Sequence, residues 1–378
     1  MEYSISTNQY EVGEVKLVYP GMNSTLIGGM GKEEAKNGIN WLLDNDTDKD
    51  IIDRYLTPKP IVATTKITVK DGITNEIINF KNGIDNGDYS NMVVKADNLI
   101  ALHTLKNSLK GAVDLVYIDP PYFFESGGSA DSFCYNSNFK LSSWLVFMKN
   151  RLEVARTLLA PSGFIAISIS EEGRSHLKLL CDDIFSSTNC VGAVTWEAKT
   201  KSQNTTSAKF QLQQKTETIL IYKNFKEKPV FSLEKTGVIE YPLTDENGSY
   251  RLKPIGQMSA TGMRSRASMV FSIKGVLPRS GMQWQLGAKT VQEYESRGDL
   301  TIENGKAFIK QRPTDEDANV YQPFWSHFFD KEAYGTSESG KRYLSSLMGG
   351  STDFESVKPV PLITKLIKHL CGRSEEHT

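Results

Sequence analysis

The sequence predicts an α/β fold, and two apolar runs followed by helical patterns are the observations that predict it. Val113–Ile118 is apolar apart from Asp114, which is typical of a parallel strand buried on both faces. Residues 164–169 form a second apolar run. Residues 142–159 and 170–185 carry apolar side chains at helical spacing after each run. This alternation of strand and helix favours the α/β class.

Length, charge and cysteine usage narrow the class of protein. A chain of 378 residues predicts two domains, or one with a large insertion. The formal net charge of −1 gives no overall basic field, so any nucleic-acid binding must use local patches. Cys134, Cys181, Cys190 and Cys371 lack paired spacing, which favours a reduced, cytoplasmic protein without a zinc site. No apolar run approaches the roughly 20 residues of a membrane span.

The tetrapeptide Asp119-Pro120-Pro121-Tyr122 follows the first strand directly. Two prolines remove two backbone donors and fix φ, giving a stiff turn where α/β sheets bind ligands. The Asp119 carboxylate and the Pro120 carbonyl are acceptors suited to the N–H groups of a base amine. Tyr122 offers a flat face for an extruded base. A purely structural turn is the alternative.

The first part of the chain, residues 1–91, is predicted to be an N-terminal extension packed against the catalytic part. Residues 33–43 have a helical pattern and residues 61–69 alternate like a strand. Residues 92–95 predict a short buried strand that ends before Asp97. From the residues alone, Asp97 is a candidate N-cap of the next helix.

Polar loops are predicted on both sides of the second strand. Residues 123–140 combine Gly, Ser and Asn with aromatics, as in a mobile cover over an active site, and Ser142 is the expected N-cap of the next helix. Residues 191–196 and 216–222 predict two strands joined by a polar loop. That loop carries candidate phosphate contacts, with a solvated hairpin tip as the alternative: Lys199, Lys201, Lys209 and Lys215.

A basic, glycine-containing stretch occupies residues 224–350, where we predict irregular structure. Between Arg251 and Arg312 there are eleven Lys or Arg against four Asp or Glu; eleven minus four is a local charge of +7. Such an excess predicts a DNA-binding surface, with a solvated charged face as the alternative. Its candidate residues are Tyr250, Arg264, Arg266, Arg279, Trp284, Lys306, Lys310 and Arg312. Beyond it, Lys358-Pro359 precedes an amphipathic helix with Leu362 and Leu366.

In this order, the segments resemble the amino-group DNA methyltransferases whose catalytic motif reads Asp-Pro-Pro-Tyr, and in particular the modification subunits of type III restriction-modification systems and related adenine-N6 methylases. The resemblance runs from about residue 92 to residue 371. It implies a Rossmann-like, circularly permuted S-adenosylmethionine-dependent methyltransferase sheet with an inserted target-recognition region. The implied domains are a catalytic core at 92–224, target recognition at 225–350 and a cofactor-side helix at 351–371.

The resemblance also implies roles for particular residues. The catalytic motif is Asp119, Pro120, Pro121 and Tyr122, and the flipped base would be an adenine in double-stranded DNA. Cofactor contacts are expected at Asp97, Asn98, Leu99, Lys358, Pro359 and Leu362. DNA contacts are expected at Lys199, Lys201, Lys209, Arg264, Arg266, Arg279, Lys310 and Arg312. No metal is needed. A restriction subunit and a second copy of the chain are the implied partners.

Two segments of the family pattern have no counterpart in these 378 residues: a strand ending in Phe-x-Gly-x-Gly, and a strand ending in a ribose-binding acid. We therefore expect a C-terminally truncated chain that lacks two central strands, with residues 372–378 as a non-native tail. Such a chain should bind S-adenosylmethionine weakly or not at all, because open strand edges replace the missing neighbours.

Three other functions fit the pattern less well. An RNA guanine-N2 methyltransferase can share Asp-Pro-Pro-Tyr, but the basic region after residue 222 argues against it. A DNA cytosine-N4 methyltransferase usually carries Ser at the position of Asp119. A non-catalytic DNA-specificity subunit would retain the recognition region without turnover.

Overall fold

The computed structural model describes residues 17–27, 41–59, 64–70, 73–80, 93–124, 140–200, 209–210, 212–225, 231–350, 354 and 356–372. For residues 41, 64–70, 73–80 and 264 it describes the backbone alone. The chain divides into two compact units. The first comprises residues 1–232 and 324–378, and the second is Leu233–Pro323.

Strands and α-helices alternate through the first unit, whereas the second unit consists mainly of short strands. In chain order, the strands are β1 (Ser24–Ile27), β2 (Trp41–Asp44), β3 (Thr64–Lys70), β4 (Ile73–Phe80), β5 (Val113–Ile118), β6 (Leu159–Ile169), β7 (Cys190–Glu197), β8 (Thr216–Lys223), β9 (Glu234–Val238), β10 (Leu243–Asp245), β11 (Gly248–Pro254), β12 (Gln257–Ser259), β13 (Met282–Trp284), β14 (Leu300–Glu303), β15 (Lys306–Gln311), β16 (Asn319–Gln322) and β17 (His327–Phe328). The α-helices are α1 (Lys49–Leu56), α2 (Asn98–Leu109), α3 (Leu141–Leu158), α4 (Glu171–Phe185), α5 (Ala288–Ser296), α6 (Lys331–Tyr334), α7 (Ser337–Met348) and α8 (Val360–Cys371). None of these helices combines the length and the apolar character that crossing a lipid bilayer requires.

A mixed five-stranded sheet forms the centre of the first unit, in the order β17-β7-β8-β6-β5. The pairs β5–β6 and β17–β7 are parallel, whereas β8 runs antiparallel to both β6 and β7. The strands expected at 191–196 and 216–222 are confirmed as the β7–β8 pair, in which Thr195 lies opposite Thr218. The α/β class predicted from the sequence is therefore confirmed.

Strand β6 is buried on both faces because helices cover each side of the sheet. Ile165, Ile167 and Ile169 pack into a core with α3 and α4, including Trp144 and Leu177. The alternate residues Phe164 and Ala166 pack into a second core with Leu362, Leu366 and Leu370 of α8. Side chains on a strand alternate between its faces, so one short apolar segment supports both layers.

Strand β5 departs from the expectation of complete burial. Asp114 is exposed and every apolar residue of β5 keeps partial exposure. Within the described residues β5 pairs only with β6, so its second edge leaves the side chains accessible. The strand predicted at 92–95 is wrong for residues 93–95, which are irregular and exposed, with Val93 at 99%. Residue 92 lies outside the described residues.

The N-terminal part contains two hairpins, β1–β2 and β3–β4. The helix predicted at 33–43 is wrong at 41–43, which belong to β2, and its remainder lies outside the described residues. The strand predicted at 61–69 is confirmed for 64–69. Asn150 of α3 connects β1 to α3: its amide donates to the Ser24 carbonyl (3.1 Å) and accepts from the Leu26 N–H (3.0 Å). The side-chain amide thus bonds to the β1 backbone as a neighbouring strand would.

The helices of the first unit follow local sequence signals with one exception. Helix α4 ends at Phe185 as expected and begins with Glu171 and Glu172, where the helix dipole favours acids. Helix α8 has Pro361 in its first turn, a position that tolerates proline. Ser142 is not an N-cap, because α3 begins at Leu141. Lys140 at the cap position supplies no side-chain cap.

The second unit is more regular than its sequence predicts. It contains the four-stranded antiparallel sheet β10-β11-β15-β14 and the pairs β12–β13 and β9–β16. Its core includes Ile255, Trp284, Leu300 and Ile309. The expectation of irregular structure here is therefore wrong. The strands were not predicted because they are short, at three to seven residues each. Such lengths are too short for alternation to stand out from the turns between them.

Candidate active site

The Asp-Pro-Pro-Tyr turn lies at the carboxyl end of β5, as expected. Asp119 is exposed to solvent, Pro120 is buried and Pro121 is half-buried. The indole of Trp144, which is fully buried in α3, donates a hydrogen bond to the Pro121 carbonyl (2.8 Å). One of the two proline carbonyls is therefore used to hold the turn against α3, while the Asp119 carboxylate remains accessible.

Lys358 reaches Asp119 from a segment 239 residues further along the chain. Its ammonium lies 2.9 Å and 3.0 Å from the two oxygens of Asp119, and 3.2 Å from an oxygen of Glu217. The Lys358 side chain is only 7% exposed, against 35% for Asp119. The sequence predicted Lys358 as a cofactor contact, and the structure places its ammonium against the carboxylate of Asp119, the predicted catalytic residue.

Two glycines allow the segment before α8 to lie where it does. A Cβ added at Gly340 of α7 would clash with the Val357 carbonyl, and one at Gly335 would clash with the Pro359 ring. Gly335 also has φ +71°, which a residue with a side chain rarely adopts. Close backbone approach at these two positions therefore sets the position of Lys358.

Glu217 is a site residue that the sequence analysis missed. It lies near the start of β8, and its Oε2 accepts a hydrogen bond from the Tyr122 hydroxyl (2.8 Å) as well as the ion pair with Lys358. Glu217 is 13% exposed. An acid next to the apolar run Ile219–Tyr222 was a visible signal, because a carboxylate is rarely buried without a partner.

The pKa values of the cluster reflect burial and the two carboxylates. Burial, then the charges of Glu217 and Asp119, raise the pKa of the Tyr122 phenol, so it stays protonated and donates to Glu217. Burial alone would lower the pKa of Lys358, but Glu217 and Asp119 together raise it above its ordinary value. Lys358 is therefore an ammonium at neutral pH. Two carboxylates and one ammonium leave the cluster with a net charge of −1.

The residues predicted to contact a cofactor have different environments. Asp97 caps α2, where its Oδ1 accepts from the N–H groups of Leu99 (3.0 Å) and Ile100 (3.1 Å). Leu99 and Leu362 are buried core side chains, at 1% and 0% exposure. Asn98 is exposed and Pro359 is buried. Asp97 is therefore the N-cap of α2, and the cap uses its Oδ1 oxygen.

The lysines predicted in the loop between β7 and β8 are only partly described. Lys199 is half-buried, and its backbone N–H donates to the Lys215 carbonyl (3.2 Å). Lys209 is exposed, whereas Lys201 lies outside the described residues. Lys215 forms an ion pair with Glu197 (2.5 Å), so its charge is balanced within the protein.

In the second unit, two of the predicted DNA contacts belong to an internal ion-pair network. The Arg312 guanidinium donates to the carboxylate of Asp245 and to that of Asp299 at 2.7–3.1 Å. The Arg312 side chain is 10% exposed. Lys310 pairs with Asp245 at 2.7 Å. These contacts favour a structural role for Arg312 and Lys310.

The acids outside the counted window change the charge of the whole unit. Leu233–Pro323 contains twelve Lys or Arg and eleven Asp or Glu; twelve minus eleven is a net charge of +1. Flanking acids such as Asp245, Asp315 and Glu316 pair with basic residues of the window. Arg266 and Arg279 are exposed, and neither forms an ion pair with the described residues of this unit. The side chain of Arg264 lies outside the described residues.

Glutamine side chains hold the backbone at both exposed arginines. The N–H of Arg266 donates to Gln283 Oε1 (2.8 Å), and the N–H of Arg279 donates to Gln257 Oε1 (3.0 Å). Gln283 and Gln257 lie on the paired strands β13 and β12. Two exposed cations therefore project from backbone positions fixed to one small sheet.

Comparison with known proteins gives a family match over most of the chain. A family described as DNA methylase, of the N6 and N4 class, matches residues 113–374. A Haemophilus influenzae protein described as a probable type III restriction-modification enzyme HindVI Mod subunit is 38% identical over 196 residues, covering 51% of this chain and 25% of that protein. The type II methyltransferase M.EcaI of Enterobacter cloacae is 30% identical over 248 residues, covering 64% of this chain and 53% of that protein.

A third relative and one solved structure extend the comparison. The type III StyLTI Mod subunit of Salmonella typhimurium is 26% identical over 319 residues, covering 75% of this chain and 47% of that protein. The crystal structure of an M1.HpyAVI–SAM complex is 22% identical and covers 40% of this chain and 62% of that one, with a TM-score of 0.27. The chain spans between about a quarter and about half of the length of the three sequence relatives.

Proposed function

Because the chain belongs to the N6 and N4 DNA methylase family, we propose that it forms the catalytic part of a DNA methyltransferase that methylates N6 of adenine. The observation that carries the proposal is the Asp119-Pro120-Pro121-Tyr122 turn at the carboxyl end of β5, with its carboxylate open to solvent. The turn offers acceptors and an aromatic face together, which is what an exocyclic base amine requires.

The amine of the flipped adenine would be held by two acceptors of the turn. One N–H donates to Asp119 and the other to the Pro120 carbonyl, so the nitrogen lone pair points away from both. The Pro121 carbonyl is already used by Trp144, which keeps the turn rigid. Holding the nitrogen in one direction lowers the barrier mainly through orientation.

Tyr122 would provide the stacking face for the base. Its hydroxyl is fixed by Glu217, so the ring has one orientation before a base arrives. A ring fixed in advance loses less entropy on binding than a mobile one.

S-Adenosylmethionine is the proposed cofactor. Asp97, Asn98, Lys358 and Pro359 are the residues that would lie nearest to it, with Leu99 and Leu362 supporting them from the cores. The cluster of Asp119, Glu217 and Lys358 fits such a donor, because its net charge of −1 complements a positive sulfonium. When bound, the cofactor supplies the transferable methyl group, and the chain supplies position and exclusion of water.

The second unit, together with the residues around it at 225–350, is the proposed target-recognition region. Arg266 and Arg279 are its best-supported phosphate or base contacts, because they are exposed and lie on a fixed backbone. Lys199, Lys201, Lys209 and Arg264 stay predicted contacts. A restriction subunit stays a proposed partner by analogy with the type III relatives, which are described as Mod subunits. A homodimer stays a prediction from the sequence resemblance.

Three alternative functions differ from the proposed one in their outcome with DNA and RNA. A cytosine-N4 methyltransferase would give N4-methylcytosine, an RNA guanine-N2 methyltransferase would modify RNA alone, and a DNA-specificity subunit would bind DNA without transferring a methyl group. The Asp119 side chain favours adenine, because the cytosine-N4 enzymes of this resemblance usually carry Ser there.

The test is transfer of tritiated methyl groups to unmethylated bacterial DNA and to RNA, using the protein expressed from its complete gene. Digestion to nucleosides should give N6-methyladenine from DNA, and Asp119→Ala should lose transfer while still binding DNA. Transfer that is unchanged in Asp119→Ala would overturn the proposed role of the turn. Label in N4-methylcytosine or in RNA would assign one of the alternatives instead.

A further inference from the structure

Glu217 contacts two different members of the site through one carboxylate oxygen. Its Oε2 accepts from the Tyr122 hydroxyl at 2.8 Å and lies 3.2 Å from the Lys358 ammonium. The neighbouring β8 residues Ile219, Leu220 and Ile221 are buried core residues. A carboxylate at 13% exposure is costly unless it is hydrogen-bonded and paired, and Tyr122 and Lys358 meet both requirements.

Lys358 is shared between two carboxylates, and the two have different exposures. It contacts both oxygens of Asp119, which is 35% exposed, and one oxygen of the more buried Glu217. A base amine that donates to Asp119 would approach the same two oxygens that the ammonium contacts, and each oxygen would then be shared or given up by the ammonium. If Asp119 were its sole partner, the Lys358 ammonium could not move away from Asp119 without becoming a buried, unpaired charge. Such a charge is strongly unfavourable.

We propose that Glu217 is a positioning residue for the methyl transfer: it fixes the Tyr122 ring and keeps the Lys358 ammonium paired while Asp119 takes the base amine. This inference rests on the proposed function. Glu217 acts through its two partners and does not itself touch the base. Lys358 in turn is a mobile counter-ion of Asp119 with Glu217 as its fixed anchor.

Glu217→Gln is the sharpest variant, because it keeps the size and an oxygen acceptor for Tyr122 and removes only the charge that faces Lys358. The matched control is Glu332→Gln, at an exposed position on α6. In the protein from the complete gene, Glu217→Gln should lower kcat on unmethylated DNA by about 10- to 100-fold, the usual range for losing a charged hydrogen bond. The control should match the wild type.

The pH profile separates positioning from mere stability. Since Glu217 helps to raise the pKa of Lys358, the alkaline limb of the kcat profile should move to lower pH in Glu217→Gln. A ¹³C NMR titration of lysines labelled at Cε should show the same downward shift for the Lys358 signal, identified by its loss in Lys358→Met. This second readout needs no turnover.

Each outcome is decisive. A lower kcat with both shifts supports the proposal, whereas an unchanged kcat, or a lower kcat without the shifts, overturns it and leaves the proposed function standing. Absence of methyl transfer by the wild type overturns the proposed function itself. If Glu217→Gln does not fold by circular dichroism, Tyr122→Phe replaces it, with kcat expected to fall several-fold without a shift of the alkaline limb; a kcat equal to that of the wild type would overturn the proposal.

Discussion

Replacing Asn150 by Leu tests how the β1–β2 hairpin is attached to α3. Asn150 lies in the middle of α3, is 8% exposed, and uses both ends of its amide on the backbone of β1. Leu has nearly the same volume, so the substitution creates little cavity. It removes both hydrogen bonds and leaves the Leu26 N–H and the Ser24 carbonyl without the Asn150 amide, their partner in the fold.

The expected cost follows from these two groups. A hydrogen bond contributes about 1 kcal/mol net, and a buried backbone group left unsatisfied costs about 1–3 kcal/mol. Two such groups, partly relieved by water at the hairpin edge and by the more apolar side chain, give about 3 kcal/mol. Because about 1.4 kcal/mol is a factor of ten, the Leu26 amide should exchange with solvent about 100-fold faster.

Hydrogen exchange measured by mass spectrometry on peptides covering residues 24–27 is the assay. Asn189→Leu is the matched control, because the Asn189 amide donates to the Phe185 carbonyl at the end of α4 (2.8 Å) and not to β1. It should destabilise locally by about 1 kcal/mol and leave Leu26 exchange unchanged. If Leu26 exchange in Asn150→Leu stays within about threefold of wild type, less than 1 kcal/mol, the hairpin is held by other contacts and the two amide bonds are not its main attachment.

Three further predictions concern the turn, the DNA surface and the acid stability of the second unit. Trp144→Phe should cost about 1–2 kcal/mol in urea denaturation, because the turn loses its indole hydrogen bond, and should lower initial methylation rates. Arg279→Ala should weaken DNA binding and make the slope of log K against log salt shallower by about 0.9; Lys310→Ala, whose charge is balanced within the protein, should leave the slope unchanged, and equal slopes would count against Arg279. The pKa of Glu316 is lowered from its ordinary value of 4.5 by its hydrogen bond with Arg251. Its contribution to stability is therefore present above that ordinary pKa and lost as pH falls below it, so between about pH 7 and about pH 3 the wild type should lose more stability in urea titrations than Glu316→Gln.

The charge of the second unit shows where counting along the sequence fails. A window from Arg251 to Arg312 has a charge of +7, yet the unit Leu233–Pro323 has +1 because it also contains the flanking acids. Some of these acids pair with basic residues of the window. Ion pairs depend on which strands become neighbours. Strand β10, which carries Asp245, pairs with β11, and β11 pairs with β15. A window that begins at Arg251 therefore omits an acid that lies beside its basic residues in the folded sheet.

The candidate site divides in the same way. Val113–Ile118, the prolines that follow it and the helical spacing beyond residue 359 are local patterns, and they were sufficient to predict β5, the Asp-Pro-Pro-Tyr turn and α8. Glu217 was not predicted as a site residue, because its hydrogen-bond partner Tyr122 is 95 residues away in the sequence.

The sequence by itself determined the α/β class, the order of most central strands and helices, and the position of the Asp-Pro-Pro-Tyr turn, because backbone propensity and apolar periodicity are properties of neighbouring residues. The tertiary structure alone decided that Lys358 pairs with Asp119 across 239 residues, that Arg312 is internal, and that β5 keeps partly exposed side chains. These features depend on distance and burial, and both are set only when remote segments have packed together.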